Sequence, residues 1–156
     1  KAISNLQNKE GVPLESCALF FIIHTLNICT MKAQVNEIKE RLQYFTGTEM
    51  FYQIPLLRTR FTDGLKYLSE VAECFWLITD TSVIAKSLMN RSEFITIDFK
   101  RLPEEKQNFT GYEAEIIYTD GNDNILEKHG YRATDFPLDE LRLFFVNDTL
   151  MLPSEY

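Results

Sequence analysis

The sequence predicts an α+β fold, with helices packed on one face of a C-terminal antiparallel β-meander of about four or five strands. Three observations carry this. Apolar residues recur at helical spacing up to Met89. After Asn90 they alternate with polar residues, the period of a half-buried strand. Turn chemistry separates the alternating runs, at Asp120-Gly121-Asn122-Asp123-Asn124 and at Asn147-Asp148.

The elements follow in order. Residues 1–30 do not share the pattern of the rest and read as an N-terminal extension. Within them Cys17 to Ile23 is apolar but too short for a membrane span. Met31 reads as the start of a single α+β domain over 31–156. Val35, Ile38, Leu42 and Phe45 then form a helical stripe, expected to stop near Thr46-Gly47. Glu49 to Phe61 reads as a loop or short strand, because Pro55 removes a donor and biases Ile54 towards extended backbone. Arg58 and Arg60 alternate with Leu57, Thr59 and Phe61, as an edge strand would.

Thr62 or Asp63 is the expected N-cap of the next helix. Leu65, Leu68, Ala72 and Phe75 continue it, and one bent helix or two, with a break near Thr79, fills Gly64 to Met89. Trp76, the sole Trp, falls on the apolar stripe. A buried ring there predicts a loss of roughly 3–5 kcal/mol on Trp76→Ala. Beyond Asn90, alternation marks strands around Ile95–Phe99 and Ala114–Tyr118, and Ile125 to Arg132 returns across the Asp120–Asn124 turn as the partner strand. Leu141–Val146 and Thr149–Leu152 complete the sheet.

The net charge is −7, which argues against general nucleic-acid binding. The acid is unevenly spread: Pro103 to Tyr156 holds twelve Asp and Glu against four Lys and Arg. Such a segment is either a solvated face or a surface for a basic partner. Three cysteines without a C-x-x-C pair point away from a disulfide framework and towards a cytoplasmic setting.

Motifs for chemistry are sparse. Asp120, Asn122 and Asn124 match the opening of a calcium loop, but Ile125 stands where Gly is needed and Tyr131 where the bidentate Glu belongs. His24 and His129 lack zinc-ligand spacing. No metal site, cofactor or catalytic set is therefore expected. Glu49, Asp63, Asp80 and Asp135 are the acids beside aromatic or turn residues, and Asp63 and Asp135 also read as caps or turn formers.

Five motifs stand in order: Phe45-Thr46-Gly47-Thr48-Glu49, Thr62-Asp63-Gly64, Phe75-Trp76-Leu77-Ile78, Thr134-Asp135-Phe136-Pro137-Leu138 and Leu152-Pro153-Ser154-Glu155-Tyr156. Over Lys39 to Tyr156 they resemble a bacterial family of small uncharacterised proteins, a domain of unknown function met in plasmid, phage and cyanobacterial genomes. The resemblance brings no activity or catalytic residue. The family's aromatic-Tyr-Arg-His string after Glu49 is replaced here by Phe51-Tyr52-Gln53-Ile54.

The expectation that follows is a non-enzymatic protein-binding module of a mobile element. An inhibitor of a host defence nuclease, in the manner of an anti-CRISPR protein, is one such module. Its partner would be another protein with a basic surface, with neither direct nucleic-acid contact nor a membrane involved. Glu49, Phe51, Tyr52, Asp63, Glu113, Glu115, Asp135 and Glu155 are the candidate interaction residues. The alternative is a small enzyme with carboxylates around the Glu49–Asp63 loop; a deep pocket lined by two or more of Glu49, Tyr52, Asp63 and Trp76 would favour it, and a flat acidic face would favour the binder.

Overall fold

In a computed structural model, the described residues are 32–156. The expected extension over 1–30, with its Cys17–Ile23 run and His24, lies outside them. The chain divides into two units, and Val35–Tyr156 is the one described here.

Helix α1 covers residues 32–42 and buries Ile38 and Leu42. It ends earlier than Thr46-Gly47. Gln43, Tyr44 and Phe45 donate their N–H groups to carbonyls three residues back, a tightening that closes the helix. Phe45 then packs against Tyr67 at 5.5 Å between ring centroids.

The stretch after Glu49 is a hairpin of β1 (Tyr52–Ile54) and β2 (Thr59–Phe61). The outer position belongs to β1, and β2 is interior to the sheet. Two helices follow, α2 (Asp63–Val71) and α3 (Phe75–Leu88). The break falls at Glu73, whose left-handed backbone (φ 49°) redirects the chain, rather than near Thr79. Thr79 is accommodated inside α3 because its hydroxyl donates to the Trp76 carbonyl at 2.8 Å.

The remaining elements are β3 (Phe94–Arg101), α4 (Glu104–Thr110), β4 (Ala114–Thr119), β5 (Ile125–Tyr131), β6 (Glu140–Val146) and β7 (Thr149–Met151). A short 3-10 turn, Pro153–Glu155, closes the chain. The strands read from the sequence match β3, β4 and β5. The turn at Asn147-Asp148 is a two-residue hairpin with both residues at positive φ, the geometry that suits the twist of the flanking strands.

The sheet corrects the four- or five-stranded meander. It has seven strands in the order β1-β2-β7-β6-β3-β4-β5. It is mixed, because β2 lies parallel to β7 while the other neighbours are antiparallel. The last strand returns beside the early hairpin, and that pairing recruits β1 and β2. The helix α4, on the surface with no buried residue, was also unforeseen; its apolar Phe109 is exposed.

On β3, Ile95, Ile97 and Phe99 point to one face. Opposite them on neighbouring strands sit Phe145, Leu143, Tyr118 and Ile116. These belong to one buried core with Leu65 and Leu68 of α2 and Leu77, Ile78, Ala85 and Leu88 of α3. The other face alternates Thr96, Asp98 and Lys100, and Arg142 of β6 grips Asp98 there with a two-pronged bond (2.6 and 3.0 Å). Among the described residues, no helix is long and apolar enough to cross a membrane.

Candidate functional site

Two clusters gather the residues singled out above. The first surrounds the start of α2. A helix N-terminus leaves N–H groups without intrahelical partners, and a nearby side chain is needed to accept from them. Thr62 holds the N-cap position but makes no capping bond. Its hydroxyl donates instead to Glu155 Oε2 at 2.5 Å. Glu155 supplies the missing acceptor from 91 residues away, as Gly64 N–H donates to its Oε1 at 2.9 Å. Thr48 Oγ1 and Leu152 N–H donate to the same carboxylate, both at 3.2 Å.

Glu155 is therefore buried under four donors. A carboxylate at a helix N-terminus also meets the favourable end of the helix dipole. Gly64 is required by this close approach: a Cβ there would lie 2.5 Å from Leu152 Cδ1 and 2.9 Å from Glu155 Oε2. Asp63 faces the other way. Its Oδ2 accepts the N–H groups of Glu49 and Met50, both at 3.3 Å, and so pins the preceding loop. Three motifs far apart in sequence thus form one clamp. Both oxygens of Glu155 are occupied by donors of the chain itself, which gives it a structural role, whereas Asp63 commits only Oδ2 to the loop.

Beside the clamp, Phe51 is exposed with the Arg60 guanidinium 5.3 Å from its ring centre. Tyr52 stacks on Phe61 at 5.5 Å, with Lys66 Nζ 5.8 Å above it. Glu115 lies apart from both clusters, on β4 opposite Lys100 of β3.

The second cluster is a cleft of about 640 Å³, lined by Trp76, Glu113, Tyr131, Ala133, Thr134 and Asp135. Trp76 comes from the first turn of α3 and Tyr131 from the end of β5, and their rings meet at 5.3 Å with 59° between planes. Trp76 is only half-buried. This corrects the expectation of a fully buried ring: Trp76 packs partly against the core, and one side of the indole faces the cleft. Phe75, on the same expected stripe, is 47% exposed.

Glu113 Oε2 accepts Thr134 N–H at 3.0 Å, and Thr134 Oγ1 accepts Phe136 N–H at 3.2 Å, which shapes the wall that carries Asp135. The Tyr131 hydroxyl donates to Asp80 Oδ2 at 3.4 Å. Burial and the adjacent Asp80 charge push the Tyr131 phenol well above its usual range. Nearby, the Tyr118 hydroxyl is buried with no hydrogen-bond partner among the described residues, and burial, with the Tyr131, Asp80 and Glu127 groups adding to it, holds its proton more tightly.

The sequence reading had Glu113 and Asp135 as candidates and weighed Asp80, but it did not foresee that these acids meet Trp76 and Tyr131. Tyr131 stands out in the sequence only as a strand residue and as the mismatch that breaks the calcium-loop pattern, neither of which points to a cleft. This cleft is lined by Trp76 but by none of Glu49, Tyr52 and Asp63. The calcium-like loop is closed on itself: Asp120 Oδ1 accepts Asn122 N–H at 2.8 Å and Asn124 N–H at 3.2 Å. The Asn124 side-chain amide and these backbone N–H groups hold the Asp120 carboxyl below its usual range. Among the described residues no group of His, Cys, Asp and Glu is arranged to hold a metal ion.

Comparison with known proteins gives a family without an assigned role. A model described as a family of unknown function (DUF6876) matches residues 36–156, and the chain belongs to that family. No curated protein matches the chain significantly, and neither does any solved structure.

Proposed function

We propose that this member of a family of unknown function is a non-enzymatic protein-binding module whose partner presents a basic surface. The observation that carries the reading is the cleft itself. Glu113 and Asp135 stand in its wall with the rings of Trp76 and Tyr131, and among the described residues no Lys or Arg lines it. A partner rich in Arg and Lys is steered towards such a surface, and the rings supply contact area once it docks.

The specific form we propose is an inhibitor of a nucleic-acid-binding enzyme, such as a host defence nuclease. A channel built for phosphates is basic, and the acidic segment after Pro103 supplies charges of the sign such a channel accepts. The small-enzyme alternative has less support, since of Glu49, Tyr52, Asp63 and Trp76 only Trp76 lines the cleft.

The test is to capture a partner from bacterial lysate, purify it and titrate it against the chain at several salt concentrations. The expected partner has a basic contact surface, and its affinity falls steeply with salt. A purified partner that binds through an acidic or neutral surface, or with no salt dependence, refutes the reading.

A further inference from the structure

The cleft suggests more than a generic acidic surface, because its rings and its carboxylates select for one kind of group. We infer that it is the receptor for a single guanidinium side chain, an Arg of the partner inserted between the rings and the acids. The inference rests on the protein-binding reading and names the group that the site takes.

Four features converge on it. The Trp76 and Tyr131 rings are 5.3 Å apart and tilted by 59°, so they present a bent aromatic wall rather than a closed stack. Trp offers the best face for a cation among the side chains, and a planar guanidinium stacks on such faces as an ammonium does not. Glu113 and Asp135 line the same cleft. The bond from Thr134 uses one oxygen of Glu113, Oε2. A guanidinium fork carries five donors and pairs with carboxylate oxygens more strongly than neutral donors do.

The third feature is anchoring. The Tyr131 ring packs edge-on against His129 at 4.9 Å as well as against Trp76, so it is set before a ligand arrives, which lowers the ordering cost of binding. The fourth is charge. Asp80 lies behind Tyr131 and adds a further negative charge beside the ring. The volume of about 640 Å³ admits an Arg side chain with part of its backbone.

The only Trp of the chain stands in this cleft, so its fluorescence reports occupancy directly. The test titrates the full chain with n-propylguanidinium, with the neutral isostere n-propylurea and with n-propylammonium. Propylguanidinium is expected to give a saturable change in Trp76 emission, with propylurea giving none and propylammonium binding more weakly. The double variant Glu113→Gln/Asp135→Asn, with its fold checked by circular dichroism, is expected to weaken propylguanidinium binding by about ten-fold or more, a loss of about 1.4 kcal/mol.

An equal response to propylurea overturns the inference, as does equal saturation by propylammonium or a double variant that binds unchanged. A purified basic partner that binds the chain in a salt-dependent way, while propylguanidinium gives no saturable response, leaves the protein-binding reading standing and removes the cleft as its receptor.

Discussion

Replacing Glu155 by Ala should cost this protein more than any single surface charge would. The carboxylate is buried and accepts from Thr62 Oγ1, Thr48 Oγ1, Gly64 N–H and Leu152 N–H. Truncation leaves three buried donors without an acceptor, those of Thr62, Gly64 and Leu152; Thr48 is partly exposed and can turn to water. Each orphaned buried donor costs about 1–3 kcal/mol. The three share one site, so relaxation and an entering water lower their sum, and a net loss of about 3–5 kcal/mol is expected. At about 3 °C per kcal/mol for a domain of this size, the melting temperature should fall by roughly 9–15 °C.

The assay is denaturant unfolding followed by Trp76 fluorescence and far-ultraviolet circular dichroism, which also tests for two-state behaviour. Glu155→Gln keeps one acceptor oxygen and places an amide donor among donors, so it should lose about 1–3 kcal/mol, less than Ala. A Glu155→Ala loss below about 1 kcal/mol, the range of ordinary surface changes, would refute the clamp.

Three further outcomes follow from the same geometry. Gly64→Ala should destabilise by about 1–3 kcal/mol by urea titration, because the added Cβ meets Leu152 and Glu155; helix propensity alone would have it stabilise by up to about 1 kcal/mol. Trp76→Ala should cost about 1–3 kcal/mol rather than the 3–5 kcal/mol of a fully buried ring, since one side of the indole already faces the cleft; the melting curve of the variant measures it. Burial pushes the Cys74 thiol up from 9.0 to about 12. Native Cys74 should therefore resist a thiolate-specific disulfide reagent at pH 8–9 until the chain unfolds. Its raised pKa contributes stability that is complete below pH 9.0 and is lost as pH rises towards about 12. Unfolding curves of the parent and Cys74→Ala across that window should converge as pH rises.

The fold was legible in the sequence where the signal is local. Alternation sets which side of β3 and β4 faces the core, because side chains on a strand point to opposite faces in turn. Asn147-Asp148 marks a tight hairpin, because only a few residue types tolerate positive φ at both positions. The period of 3.6 places α2 and α3, although not the break at Glu73, where a non-glycine residue takes a left-handed backbone that its side chain does not announce.

Tertiary structure decided the rest. The parallel pairing of Arg60 and Phe61 with Thr149 and Leu150 has no local trace, since backbone hydrogen bonds are the same for every partner strand. The cap of α2 looked like the work of Thr62 or Asp63, but the chain end arrives with a carboxylate and takes that role. The cleft likewise joins α3, the end of β5, the lead into β4 and the loop at Thr134. Trp76 reads as core on its helix because periodicity reports which residues share a face, whereas burial depends on what the fold lays against that face. That is a long-range property, and no short window of residues contains it.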